Sequence, residues 1–122
     1  MIRNKTGLWG EIYTARYLRD NGCDIIGSNF KCRFGEADII ASKGKRMFLV
    51  EVKTRNEKTA VRPMEAVDKN KRERLEKTAQ MFIKASGMTD LNIRFDVSEV
   101  YLNNDYELVS LNYIENAFTA EK

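Results

Sequence analysis

The chain contains no histidine. A Ser-His-Asp triad, a Cys-His pair and a His-ligated metal therefore cannot be built from its own residues. It has two cysteines, Cys23 and Cys32, which are too far apart for a CxxC unit. Two thiols without an imidazole do not make a structural zinc site, and they fit a reduced, intracellular setting. With one proline and seven glycines there is no linker-like or low-complexity tract. The opening stretch, "MIRNKTGLWGEIY", has no apolar run long enough for a signal peptide or a membrane span. The expectation is a cytoplasmic protein without a membrane partner. Any catalysis must run on carboxylates, lysine, hydroxyls or a hard metal ion, and oxygen ligands favour Mg2+, Mn2+ or Ca2+.

The length of 122 residues suits one compact domain, expected to span residues 1–122. At 43% hydrophobic and 32% charged, the chain can bury a core, which argues against disorder. A net charge of +3 permits a polyanion partner without announcing one.

Leu8, Ile12, Ala15 and Leu18 form an apolar stripe at helical spacing, predicting a helix from about Thr6 to Asn21. Gly22 is suited to a left-handed C-cap. "CDIIGSNFKCRF" reads as extended, with a bend or bulge near Gly27 and Asn29. "GEADIIAS" and "RMFLVEVKT" read as strands around a "KGK" turn. "RNEKTAVRP" is a loop. Asp68 can cap a second helix carrying Leu75, Ala79 and Phe82 on one side and ending at Gly87. "LNIRFDVSEVYL" and "DYELVSLNYI" supply two more strands. The predicted order is α-β-β-β-α-β-β: an α/β fold with a central sheet flanked by helices.

The hairpin holds the residues that a buried strand does not need. With Gly44 and Lys45 as the turn, Lys43 faces Arg46, Ile40 faces Leu49, Asp38 faces Glu51 and Glu36 faces Lys53. Residues two apart share a face, so Glu36, Asp38, Glu51 and Lys53 fall on one side with Ile40, Leu49 and Met47. Ala37, Ile39, Ala41, Phe48, Val50 and Val52 fall on the other. Opposed carboxylates repel, and burial worsens this unless a proton or cation lies between them. A divalent metal is the economical answer. It would bind a scissile phosphate oxygen and lower the pKa of a bound water. Lys53 would either orient that water or stabilise charge on the phosphate. Taken alone, "EVK" is a common solvated pair; the facing Asp38, the adjoining Glu36 and the apolar reverse face shift the balance toward a site.

Glu11 lies beside the apolar stripe of the first helix and is either a rim residue or a further metal or water ligand. Lys71 shares a helical row with Leu75, Thr78 and Phe82. With Lys69, Arg72, Arg74 and Lys77 it makes a basic half-helix, either solvated or phosphate-contacting. Arg33, Arg55 and Arg62 are candidates to extend such a face around the hairpin, with the same two readings. Asp96 reads as a structural or surface acid.

The stretch from "GLWGEIYTARYL" through "GEADII" and "FLVEVKTR" to "AVDKNKRERL" and "RFDVSEV" resembles the YraN family of bacterial proteins. The resemblance runs from about Gly7 to Val100. It implies membership of the PD-(D/E)xK nuclease superfamily, with similarity to archaeal Holliday-junction resolvases. That in turn implies a restriction-endonuclease-like core, a mixed sheet with a helix on each side. Asp38 matches the superfamily's first acid, Glu51 the second and Lys53 its lysine. Glu11 matches the glutamate of helix one, Glu36 that of "GExD" and Lys71 the basic position on the following helix. Ala37 replaces a larger aliphatic residue. The implied function is a Mg2+- or Mn2+-dependent endonuclease acting on DNA, branched or junction DNA included. The metal would be held by Asp38, Glu51, Glu11 and Glu36, with Lys71, Arg33 and Arg55 toward the nucleic acid and a homodimer as a compatible assembly. The alternative is a DNA-binding or assembly module that keeps the fold and does not cut.

Overall fold

The computed structural model describes residues 5–58, 69–88 and 92–117. Its elements are α1 (Lys5–Asp20), β1 (Asp24–Cys32), β2 (Gly35–Lys43), β3 (Arg46–Asn56), α2 (Lys69–Ser86), β4 (Asn92–Leu102) and β5 (Leu108–Ile114). This is the order expected from the sequence. Asp68 and Arg62 lie outside the described residues.

The strands form one sheet in the order β1-β2-β3-β4-β5. Neighbours are antiparallel except β3 and β4, which run parallel with α2 as their crossover. The fold is therefore α/β with a mixed sheet. Its two faces are covered separately. On the α2 side Ala37, Ile40, Met47, Leu49, Phe95 and Val97 pack with Ala79 and Phe82. On the α1 side Ile39, Ala41, Phe48 and Val50 pack with Leu18 and Cys23. Strands buried on both faces explain why "RMFLV" is an almost unbroken apolar run.

Both helices stop where the sequence predicts. Gly22 adopts φ 85°, its N–H donates to Arg19 O at 2.9 Å, and the Cys23 N–H donates to Leu18 O at 2.9 Å. This paired pattern is a Schellman cap, and glycine supplies its left-handed residue without steric cost.

Gly10, within α1, fixes how closely the helix meets the sheet. A Cβ there would collide with the Thr54 side chain, so its absence lets α1 lie directly on β3. One turn on, the buried Thr14 hydroxyl is bonded to Ser98 Oγ at 2.8 Å and donates to Gly10 O at 2.8 Å. The close approach brings Glu11, the residue after Gly10, to the hairpin.

Candidate active site

The β2–β3 ladder runs as expected from Lys43↔Arg46 through Ile40↔Leu49 to Ile39↔Val50, and then stops. The expected pairings of Asp38 with Glu51 and Glu36 with Lys53 do not form as ladder partners. The reason is chemical. Asp38 Oδ2 accepts the Val52 N–H at 2.8 Å, so a side chain takes a donor that a backbone carbonyl would otherwise use. Asn29 lies opposite Asp38 on β1, between the pairs Ser28↔Ile39 and Phe30↔Ala37, with φ 52°. The backbone on both sides of Asp38 is thus irregular. The alternation fails here too: Ala37 joins the α2-side cluster with Ile40 instead of lying with Ile39.

Where the strands part, a cleft of about 210 Å3 opens on the α2 side. Glu36, Asp38 and Glu51 line it from the sheet, Lys71, Arg74, Leu75 and Thr78 from α2, and Phe34 from the β1–β2 turn. Glu11 reaches the same locality from α1. Its Oε1 accepts from Asn29 Nδ2 at 3.3 Å, and its charge acts on Asp38. The gap in the sheet therefore brings together carboxylates supplied from both faces.

Asp38 is half-buried, and its carboxyl is pushed above the ordinary aspartate range. Burial is the main cause. The Val52 N–H works the other way, and Glu11, Glu51 and Glu36 add to the rise by repulsion. Such a group gains from a proton or a cation. Glu51 already has a cation: Lys71 Nζ lies 3.4 Å from Oε1 and 3.5 Å from Oε2. Both partners are about one-third exposed, so solvent screens this pair. Glu36 is exposed and stands 4.0 Å from Lys31, a pair open enough to weigh little.

Lys53 lies two residues beyond Glu51 on β3, on the same face, half-buried and level with Glu99 of β4. Arg55 continues that row, and its Nε is buried without a hydrogen-bond partner. Arg33 lies in the β1–β2 turn with its guanidinium 4.8 Å from the Phe34 ring centre. Neither arginine lines the cleft. Among the described residues, no three His, Cys, Asp or Glu side chains are grouped closely enough to chelate an ion as they stand. The donors at the cleft are nonetheless hard carboxylate oxygens around Asp38, whose charge is crowded by Glu11, Glu51 and Glu36. That chemistry fits Mg2+ or Mn2+, provided Glu51 turns from Lys71.

Sequence reasoning missed Phe34 and the strength of the Asp96 site. An aromatic residue in a turn was the available signal for Phe34. Asp96 is fully buried on the α1 face, level with Val50. It accepts from Arg94 Nε at 2.8 Å, Arg94 Nη2 at 3.0 Å, Tyr113 Oη at 2.6 Å and the Asn116 N–H at 2.8 Å. Of the two readings its sequence position allowed, it is the structural acid and not a surface one.

Comparison with known proteins agrees over this region. Residues 10–100 match the sequence profile described as "Uncharacterised protein family UPF0102". A UPF0102 protein of Caldanaerobacter subterraneus subsp. tengcongensis is 42% identical over 119 residues, covering 96% of this chain and 98% of its own length. A UPF0102 protein of Clostridium acetobutylicum is 39% identical, with 96% of each chain covered. One of Caldicellulosiruptor saccharolyticus is 37% identical, covering 97% of this chain and 100% of its own. The profile takes in Gly10 and Glu11, the hairpin and α2, and so the whole of the carboxylate cleft. The chain belongs to the uncharacterised protein family UPF0102, the YraN family that its motifs resemble.

Proposed function

We infer that the protein is a Mg2+- or Mn2+-dependent endonuclease that hydrolyses phosphodiester bonds in DNA, branched DNA included. The observation that carries this reading is the carboxylate cleft at the broken ladder. Asp38 is half-buried, accepts from the Val52 N–H and has three acidic neighbours, an arrangement that is costly for stability alone. Asp38 and Glu51 are the metal-holding pair, and Glu36 and Glu11 are placed to assist directly or through water. When bound, the ion supplies Lewis-acid activation of a phosphate oxygen and of a water. Lys53, on the face of Glu51, is the group for orienting the attacking water or balancing charge on the phosphate. Lys71 and Arg74 present cations on the opposite wall, where a DNA phosphate would approach.

The test is cleavage of branched and linear DNA by purified protein with Mn2+ or Mg2+. Activity that disappears in Asp38→Ala and in Lys53→Ala supports the reading; activity that survives both overturns it.

One observation favours a second reading, a DNA-binding module that keeps the fold without cutting. Glu51 is held by Lys71, and among the described residues the carboxylates are not grouped for chelation as they stand. Salt-dependent DNA binding with no cleavage under either metal would select that reading.

A further inference from the structure

The β1–β2 turn consists of Arg33 and Phe34. Turns of this kind favour Gly, Asn, Asp, Ser or Pro, whose side chains satisfy or free the backbone. Phe34 does none of this. It is also absent from both apolar clusters, although Phe30, four residues earlier, packs against one of them. Its cover is cationic. The Arg33 guanidinium lies 4.8 Å from the ring centre and the Lys77 ammonium 5.4 Å. Both distances are within cation–π range. Phe34 nevertheless lines the same cleft as Glu36, Asp38 and Glu51, with Lys71 and Arg74 on the far wall. An aromatic ring, the cations Lys71 and Arg74 and a carboxylate cluster therefore line one concavity, with Arg33 and Lys77 set against the ring.

We propose that Phe34 is the specificity-determining residue of this site, stacking on an unpaired DNA base beside the phosphodiester that enters the cleft. The inference rests on the nuclease reading and adds to it the class of substrate. A ring side chain binds a base through its π-face, and that attraction tolerates any base. Inside an intact duplex both faces of a base are already occupied by its neighbours. A base offers a face only in a single strand, at a flap, at a branch point or when flipped out. Arg33 and Lys77 lie against the ring, and on DNA they would be the groups to meet the flanking phosphates. The preferred substrate is accordingly DNA with an unpaired segment next to the scissile bond, and uninterrupted duplex is the poor one.

The test uses the whole protein in EDTA, so that no cleavage interferes. Wild type, Phe34→Ala, Phe34→Leu and Phe34→Trp are titrated with single-stranded, flapped and duplex oligonucleotides of one sequence carrying 2-aminopurine. Far-UV circular dichroism and thermal melting establish that each variant is folded. The expected result is that Phe34→Ala loses about tenfold in affinity for the single-stranded and flapped forms, with duplex changed less than about twofold. Stacking should quench 2-aminopurine emission with wild type and Phe34→Trp, and not with Phe34→Ala or Phe34→Leu. Equal losses on all three DNAs, no loss on any, or full recovery by Phe34→Leu would overturn the proposal, since leucine covers the turn without stacking. Cleavage with Mn2+ is measured alongside. A protein that cuts DNA without regard to residue 34 retains the nuclease reading and loses this one. A protein that never cuts but shows Phe34-dependent quenching retains the contact and loses the nuclease.

Discussion

Two interior carboxylates of this sheet are treated in opposite ways. Asp96 is fully buried and accepts from two Arg94 nitrogens, the Tyr113 hydroxyl and the Asn116 N–H. The Tyr113 phenol is pushed far above its ordinary range, by burial first and by its bond to Asp96 next. Each partner holds the others in place, and the network ties β4 to β5 and to the residues just after it. Asp38 accepts from the Val52 N–H and otherwise faces the repulsion of Glu11, Glu51 and Glu36. One acid is saturated with donors; the other is crowded with acceptors. A buried charge with its partners complete contributes to folding, whereas one surrounded by like charge is poised for a cation from outside.

If that contrast is right, activity and stability separate between the two sites. The largest effect is on chemistry: Asp38→Ala should lower metal-dependent DNA cleavage by about a thousandfold or more, and Lys53→Ala by about a hundredfold. Neither variant should lose thermal stability. A matching fall in melting temperature would mean that Asp38 is a structural acid after all.

Asp96→Ala reverses the pattern. It strands a partly buried guanidinium and a phenol, and should cost about 3–5 kcal/mol in chemical denaturation. A loss below about 1 kcal/mol would show that the network is not the anchor its geometry describes.

Lys71 sharpens the comparison more gently. It is the cation that Glu51 holds, and it would compete with an incoming ion. Lys71→Met should raise Mn2+ affinity by about twofold to fivefold, in keeping with a screened pair. The same change should weaken DNA binding and reduce its salt slope by about one. Losses in both affinities would place Lys71 in the metal site's support and not in competition with the ion.

The smallest effect is on pH. Because the folded-state carboxyl of Asp38 is raised, its protonated form is the one that folding favours. Its contribution to stability is complete below the ordinary aspartate range and fades as pH rises through the raised value. In EDTA, wild type should therefore lose stability relative to Asp38→Asn across that window and match it below. Parallel denaturation curves at every pH would contradict the crowded-acceptor description.

Much of this molecule was legible in its sequence, for reasons specific to each part. The helices showed their apolar stripes, and Gly22 and Gly87 their left-handed ends, at φ 85° and 74°. The "KGK" turn set the register as far as Ile39↔Val50. Beyond that point the register could not be read. The break depends on one side chain, Asp38, capturing the N–H of Val52, and periodicity does not record tertiary hydrogen bonds. Strict alternation puts Ala37 with Ile39, and it lies on the other face for the same reason. Asp96 alternates correctly along β4, but its burial comes from Arg94 beside it and from Tyr113 on the next strand. The charge neighbours of Asp38 were inferred in part: Glu36 and Glu51 from the hairpin, Glu11 from the resemblance and a helical row. The capture of Glu51 by Lys71 had no sequence signal beyond a lysine facing the sheet.

The most direct test of the carboxylate cleft is a calorimetric titration of Mn2+ into metal-free wild type, Asp38→Asn and Glu51→Gln. Saturable uptake by wild type that weakens at least about tenfold in each variant is the predicted result. Uptake unchanged by both substitutions, or none by the wild type, would contradict it.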